Sequence, residues 1–72
     1  MELVAEGRLA SGGNPVNVYW SESDETFFIE VVDEDGCPTG DEESCIEPSK
    51  LKYMVILNEE IEEWAFDNDV FL

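Results

Sequence analysis

Residues 33–47 read Asp33-Glu34-Asp35-Gly36-Cys37-Pro38-Thr39-Gly40-Asp41-Glu42-Glu43-Ser44-Cys45-Ile46-Glu47. How this stretch is read decides how many strands the fold contains. Seven of its residues are acidic and none is basic. Packed carboxylates must either lose their charge or find cations, so the stretch contributes nothing to a core. It is expected to be a solvated loop between two apolar segments, Thr26–Val32 and Leu51–Leu57.

The N-terminal flank of that loop is the clearest strand in the chain. Thr26–Val32, TFFIEVV, is β-branched or aromatic almost throughout, a composition that suits a pleated, half-buried surface. Phe27, Ile29 and Val31 would share the core face, with Phe28, Glu30 and Val32 opposite. Two apolar side chains on that outer face imply that it is partly covered or forms an interface. Glu22-Ser23-Asp24-Glu25 is a polar hairpin turn, and Val16–Ser21 before it alternates Val16, Val18 and Trp20 against Asn17, Tyr19 and Ser21. Ser11-Gly12-Gly13-Asn14-Pro15 supplies the residues that a turn needs. Glu2–Ala10 reads as a further strand, with Leu3, Ala5 and Leu9 on one face.

The C-terminal flank divides into two readings. Leu51–Leu57 alternates as a strand should, after which Asn58 is a suitable N-cap for a helix ending near Asn68, with Glu59 and Glu60 in its first turn. Ile61, Trp64 and Ala65 then form its apolar stripe. The rival is one helix from Pro48 to about Asn68, with Pro48 at its first position. That rival puts Lys50 and Lys52 at the positive end of its dipole and the glutamates toward the negative end, so the strand-then-helix reading has the better electrostatics. Either way the expected fold is α+β: a three- or four-stranded antiparallel sheet with a C-terminal helix packed on one face.

The 72 residues make one small acidic domain, 1–72, near the lower size limit for a stable core. A hydrophobic content of 43% is enough to fold. The core is nevertheless thin, and a homodimer is the expectation that follows. Met1–Ala10 lacks a basic region followed by an apolar run, so no secretory signal is expected. No apolar run approaches the roughly 20 residues that span a bilayer. The expected setting is soluble and cytoplasmic.

Charge is the dominant signal. Nineteen Asp and Glu stand against three basic residues, a formal charge of −16. Self-repulsion at that density opposes the compact state, so the charge calls for a compensating use. Direct binding to nucleic acid or to an anionic membrane is excluded, since phosphate recognition needs Lys and Arg. The complementary partner is a basic protein.

Other chemistries are poorly supplied. Asp33-Glu34-Asp35-Gly36 has part of the calcium-loop pattern, but Val31 stands where the first Asp is required. No metal site and no cofactor is expected. Cys37 and Cys45 without any histidine cannot complete a structural zinc site within one chain; two free thiols are the default, and a disulfide closing the loop is the alternative. Ser-His and Cys-His dyads are unavailable, there is no glycine-rich phosphate loop, and so short a chain can hardly enclose a substrate pocket. An enzyme is not expected.

A charge run is usually just a solvated face. Here nearly every exposed segment is acidic, whereas ordinary surfaces mix the signs. The expectation drawn is an acidic DNA mimic that blocks the basic groove of a nucleic-acid-binding protein, with Glu22, Asp24, Glu25, Asp33, Glu34, Asp35, Asp41, Glu42 and Glu43 as phosphate surrogates. In general character, though in no sequence motif, this is similar to phage-encoded inhibitors of restriction and CRISPR systems, which act in the host cytoplasm. The alternatives are a housekeeping domain of a salt-adapted organism, whose acidity serves solubility, and an adaptor that binds a basic protein without imitating nucleic acid.

Overall fold

Five strands pair into a single antiparallel sheet in the order β4-β3-β2-β1-β5. The computed structural model describes residues 1–72 and runs β1 (Glu2–Leu9), β2 (Pro15–Ser21), β3 (Thr26–Val32), β4 (Pro38–Ile46), a 3-10 turn (Pro48–Lys50), α1 (Leu51–Met54), β5 (Val55–Ile56) and α2 (Glu59–Asp67). The fold is therefore α+β, with five strands where the sequence suggested three or four.

The extra strand comes from the acidic stretch. Only residues 33–37 form a turn; Pro38–Ile46 pairs with β3 as an edge strand. Its side chains are exposed along its whole length except Ile46. Carboxylates can sit in a strand when solvent reaches both faces of it, because neither face has to enter a core. The ladder to β3 supplies the backbone bonds that a loop would have left to water.

The segment after Ile46 follows neither reading in full. Pro48 opens a short 3-10 turn that leads into α1, and only Val55 and Ile56 are extended, pairing with Leu9 and Arg8 of β1. This crossover carries the chain from one sheet edge to the other and drives Leu51 and Val55 fully into the core. Asn58 is the N-cap of α2 as expected: its side-chain oxygen accepts from the Ile61 amide at 3.0 Å. Its amide nitrogen donates to the Glu6 carbonyl at 3.0 Å, tying the helix start to β1.

The core cluster joins Ala5, Val16, Val18, Phe27, Ile29 and Ile46 from the sheet to Leu51, Val55 and Ile61. Phe27 and Ile29 face inward and Val31 packs beside them, as the alternation of β3 requires. Trp20, Phe27 and Trp64 form an aromatic triad, with ring centroids 4.8, 5.4 and 5.7 Å apart. The indole nitrogen of Trp64 reaches the Glu2 carboxylate at 3.2 Å. Val70 and Leu72 of the tail also pack on the core, while Phe66 and Phe71 stay exposed.

One face assignment is corrected. The pairing of β1 with β2 shifts between Leu3 and Ala5, a bulge that adds a residue to β1. Ala5 is buried opposite Val18, but Leu3 lies opposite Tyr19 on the other face and is 53% exposed. No helix is long and apolar enough to cross a membrane.

Candidate functional site

The nine carboxylates singled out from the sequence lie along one margin of the sheet. Asp33, Glu34 and Asp35 form the β3–β4 turn, Asp41, Glu42 and Glu43 lie on β4, and Glu22, Asp24 and Glu25 form the β2–β3 turn. Because Ile46 pairs with Phe27 and Ser21 with Thr26, the far end of β4 comes back beside that last turn. The nine residues thus occupy the two ends and the middle of the β3–β4 edge. Glu30, not singled out from the sequence, and Glu47, counted in the acidic stretch but not among the nine, belong to the same margin. Their signal lies in the register: Glu30 pairs with Glu42, and Glu47 directly follows the last residue of β4.

Local geometry fixes this margin in several places. The Asp33 carboxylate accepts from the amides of Asp35 and Cys37, both at 2.9 Å, which closes the turn. On β4, Thr39 donates its hydroxyl to the Val31 carbonyl at 3.0 Å. The β3–β4 register shifts twice, between Phe27 and Ile29 and between Glu30 and Val32. Cys45 (φ 57°) and Gly40 (φ 95°) sit at the two irregularities in left-handed conformations. Successive residues of a strand point to opposite faces, so Glu42 lies on the face of Glu30 and Glu43 on the face of Ile29. The edge consequently presents carboxylates to both sides.

The remaining acidic residues lie elsewhere, chiefly on α2 as Glu59, Glu60, Glu62, Glu63 and Asp67. None of the three cations pairs with a carboxylate, although Arg8 lines the same groove as Asp33, Glu34 and Asp35. Arg8, on β1, donates to the Gly13 carbonyl at 3.0 Å. Lys50 and Lys52, on the crossover, flank the Tyr53 ring at 5.9 and 5.5 Å from its centroid. Neither arrangement neutralises a carboxylate.

Cys37 and Cys45 are both free and exposed. They precede the β4 partners of Val32 and Phe27, five residues apart on β3. At about 3.3 Å per residue that separation is roughly 16 Å, well beyond the span of about 4.4–6.8 Å that a disulfide bridges. The loop-closing disulfide is therefore ruled out in this fold. No group of three or more Cys, Asp or Glu converges as metal ligands would.

The other face of the sheet, away from α2, carries a second feature. Leu3, Tyr19 and Phe28 lie side by side across β1, β2 and β3, and the Tyr19 and Phe28 rings are 5.8 Å apart. The next row is Glu6, Asn17, Glu30 and Glu42. Beyond it an open groove of about 960 Å³ runs between the β1–β2 turn at Gly13–Asn14 and the β3–β4 turn at Asp33–Gly36. Pro15, Val32 and Ile56 are among the residues that line it. Val32 is buried there, outside the main core cluster, which accounts for an apolar residue on the outer side of β3. No family model, no curated protein and no solved structure matches this chain.

Proposed function

We propose that this domain is a binding module that occupies the basic groove of a nucleic-acid-binding protein by imitating a polynucleotide, as a phage-encoded inhibitor of a host defence system would. The observation that carries the reading is the acidic margin. Its eleven carboxylates, from Glu22 to Glu47, are uninterrupted by any Lys or Arg. A seven-residue strand at about 3.3 Å per residue spans about 23 Å. The turns at both ends lengthen the margin beyond that, so its eleven carboxylates fall at about one per 2–3 Å, somewhat sparser than the one per roughly 1.7 Å of duplex DNA. Strand pairing of β4 and the hydrogen-bonded Asp33 turn hold much of the backbone of the array in place, so little backbone freedom there remains to be lost on association. Blocking such a groove needs no chemistry, only occupancy, and electrostatic steering would make the encounter fast and salt-sensitive.

The test uses a panel of purified basic nucleic-acid-binding proteins, including a nuclease, a repressor and a guide-RNA effector, each titrated with this domain with and without competing duplex DNA. Replacing the nine singled-out carboxylates by Asn and Gln is expected to raise Kd steeply and flatten the salt dependence, with DNA and the domain competing for one site. Binding unaffected by the nine replacements rejects the electrostatic account. Binding that excess DNA does not displace favours the adaptor reading instead.

A further inference from the structure

The apolar row on the open face of the sheet is unexplained by an account based on charge alone. Leu3 is exposed, and Tyr19 and Phe28 are half-buried, on the face opposite the one where α2 and the crossover pack. Carboxylates flank the row on both sides. Glu6, Glu30 and Glu42 belong to the adjacent row, two residues along β2 and β3 and, across the bulge, three along β1, and the Glu22–Glu25 turn closes the other side. Neighbouring rows on one face of a sheet are about 7 Å apart, and adjacent strands are about 4.8 Å apart. The row is thus an apolar track roughly 10–15 Å long with negative rims about 7–10 Å to either side.

A helix with its side chains is about 10–12 Å across. Laid along this track, an amphipathic helix would bury its apolar stripe on Tyr19 and Phe28 and carry its flanking residues to the two rims. Those flanks must be cationic, because a neutral or acidic helix would desolvate the rim carboxylates without pairing them.

We infer that the open sheet face is a docking site for a basic amphipathic α-helix, with Leu3, Tyr19 and Phe28 as the apolar floor and Glu6, Glu30 and Glu42 pairing with its Lys or Arg residues. This rests on the reading that the partner is a basic protein, and adds which element of that partner is gripped. A second copy of this chain is a poor occupant, since its own helix surface is acidic at Glu59, Glu60, Glu62 and Glu63.

Three synthetic peptides of about 18 residues, some five helical turns, make the test. One has Leu along one helical face and Lys on the other, one is its scrambled isomer, and one is oligolysine. Each is titrated into the ¹⁵N-labelled domain at about 0.15 M salt, where long-range steering is largely screened. The amphipathic peptide is expected to bind at least about tenfold more tightly than either control, and to shift the amide resonances of Leu3, Tyr19, Phe28 and Glu30. Leu3→Ser, at an exposed position, and Tyr19→Thr, which keeps strand propensity, are each expected to weaken that peptide several-fold and leave oligolysine unaffected.

Equal affinity for the amphipathic peptide and its isomer overturns the inference, as do shifts confined to Phe66, Phe71 and α2. A dimer of the free protein in sedimentation, with this face protected, assigns the site to a second copy and also overturns it. Failure of oligolysine to bind at all counts against the acidic-margin reading, whereas loss of the amphipathic preference alone sinks only the helix site.

Discussion

Glu30 and Glu42 stand directly opposite each other across the β3–β4 ladder. Two like charges in such a pair oppose strand association, on a scale of roughly 0.2–1 kcal/mol. The ladder forms nonetheless, so its backbone bonds and the burial of Ile46 outweigh the repulsion. Glu42→Lys, which turns the pair attractive, is expected to stabilise the fold by about 0.5–1 kcal/mol. A rise in the urea midpoint checks this; no change, or a fall, would mean that solvent already screens the pair.

Self-repulsion over the whole surface should respond to salt. Raising ionic strength from about 0.01 to about 0.15 M shortens the screening length from about 30 to about 8 Å. The midpoint of urea unfolding is expected to rise over this range, with the domain already folded at the low end. A circular dichroism spectrum that shows an unfolded chain until molar KCl is reached would instead indicate a salt-adapted protein.

Asn58 performs two tasks, capping α2 and donating to the Glu6 carbonyl. Asn58→Ala is expected to cost about 1–2 kcal/mol, with the cap responsible for roughly 1 of it. Asn58→Asp keeps an acceptor for the Ile61 amide but loses the donor, so its cost should fall between wild type and Asn58→Ala. Equal losses for the two variants would show that the tie to β1 dominates the cap.

Phe27 is fully buried at the centre of the aromatic triad. Phe27→Ala should cost about 3–5 kcal/mol, comparable to the whole stability of so small a domain. Loss of the cooperative thermal transition is the expected readout. A transition retained within a few degrees of wild type would mean that the sheet repacks around the gap.

Cys37 and Cys45 are expected to remain separate thiols under mild oxidation in the native state. Alkylation followed by mass spectrometry should find both modified in the monomer. An intramolecular disulfide formed without denaturant would contradict the placement of β4.

Where burial imposes a period, the sequence could be read. The faces of β2 and β3, the glycine turn at Gly12–Gly13 and the Asn58 cap all follow from side chains that have one place to go. β4 was illegible for the opposite reason: water reaches both of its faces, so no alternation marks it, and only backbone pairing makes it a strand. The crossover misled in another way, because Leu51 and Val55 are both buried and satisfy a strand and a helix pattern alike. Of the acidic margin, the nine turn and strand carboxylates were legible as charge, whereas Glu30 joined them only through its register with Glu42. The Leu3 row depends on the β1 bulge, which strict alternation could not foresee.

The two margins of the sheet also bear on how much of this protein a cell could hold. β5 is only two residues long, and β4 is kinked twice, begins at Pro38 and bristles with negative charge, all of which deter a further strand from adding on. Neither border offers a template for fibril growth. Under the proposed blocking role the protein would have to reach the abundance of whatever it blocks, and a sheet whose borders are sealed in this way can be stockpiled without seeding its own precipitation.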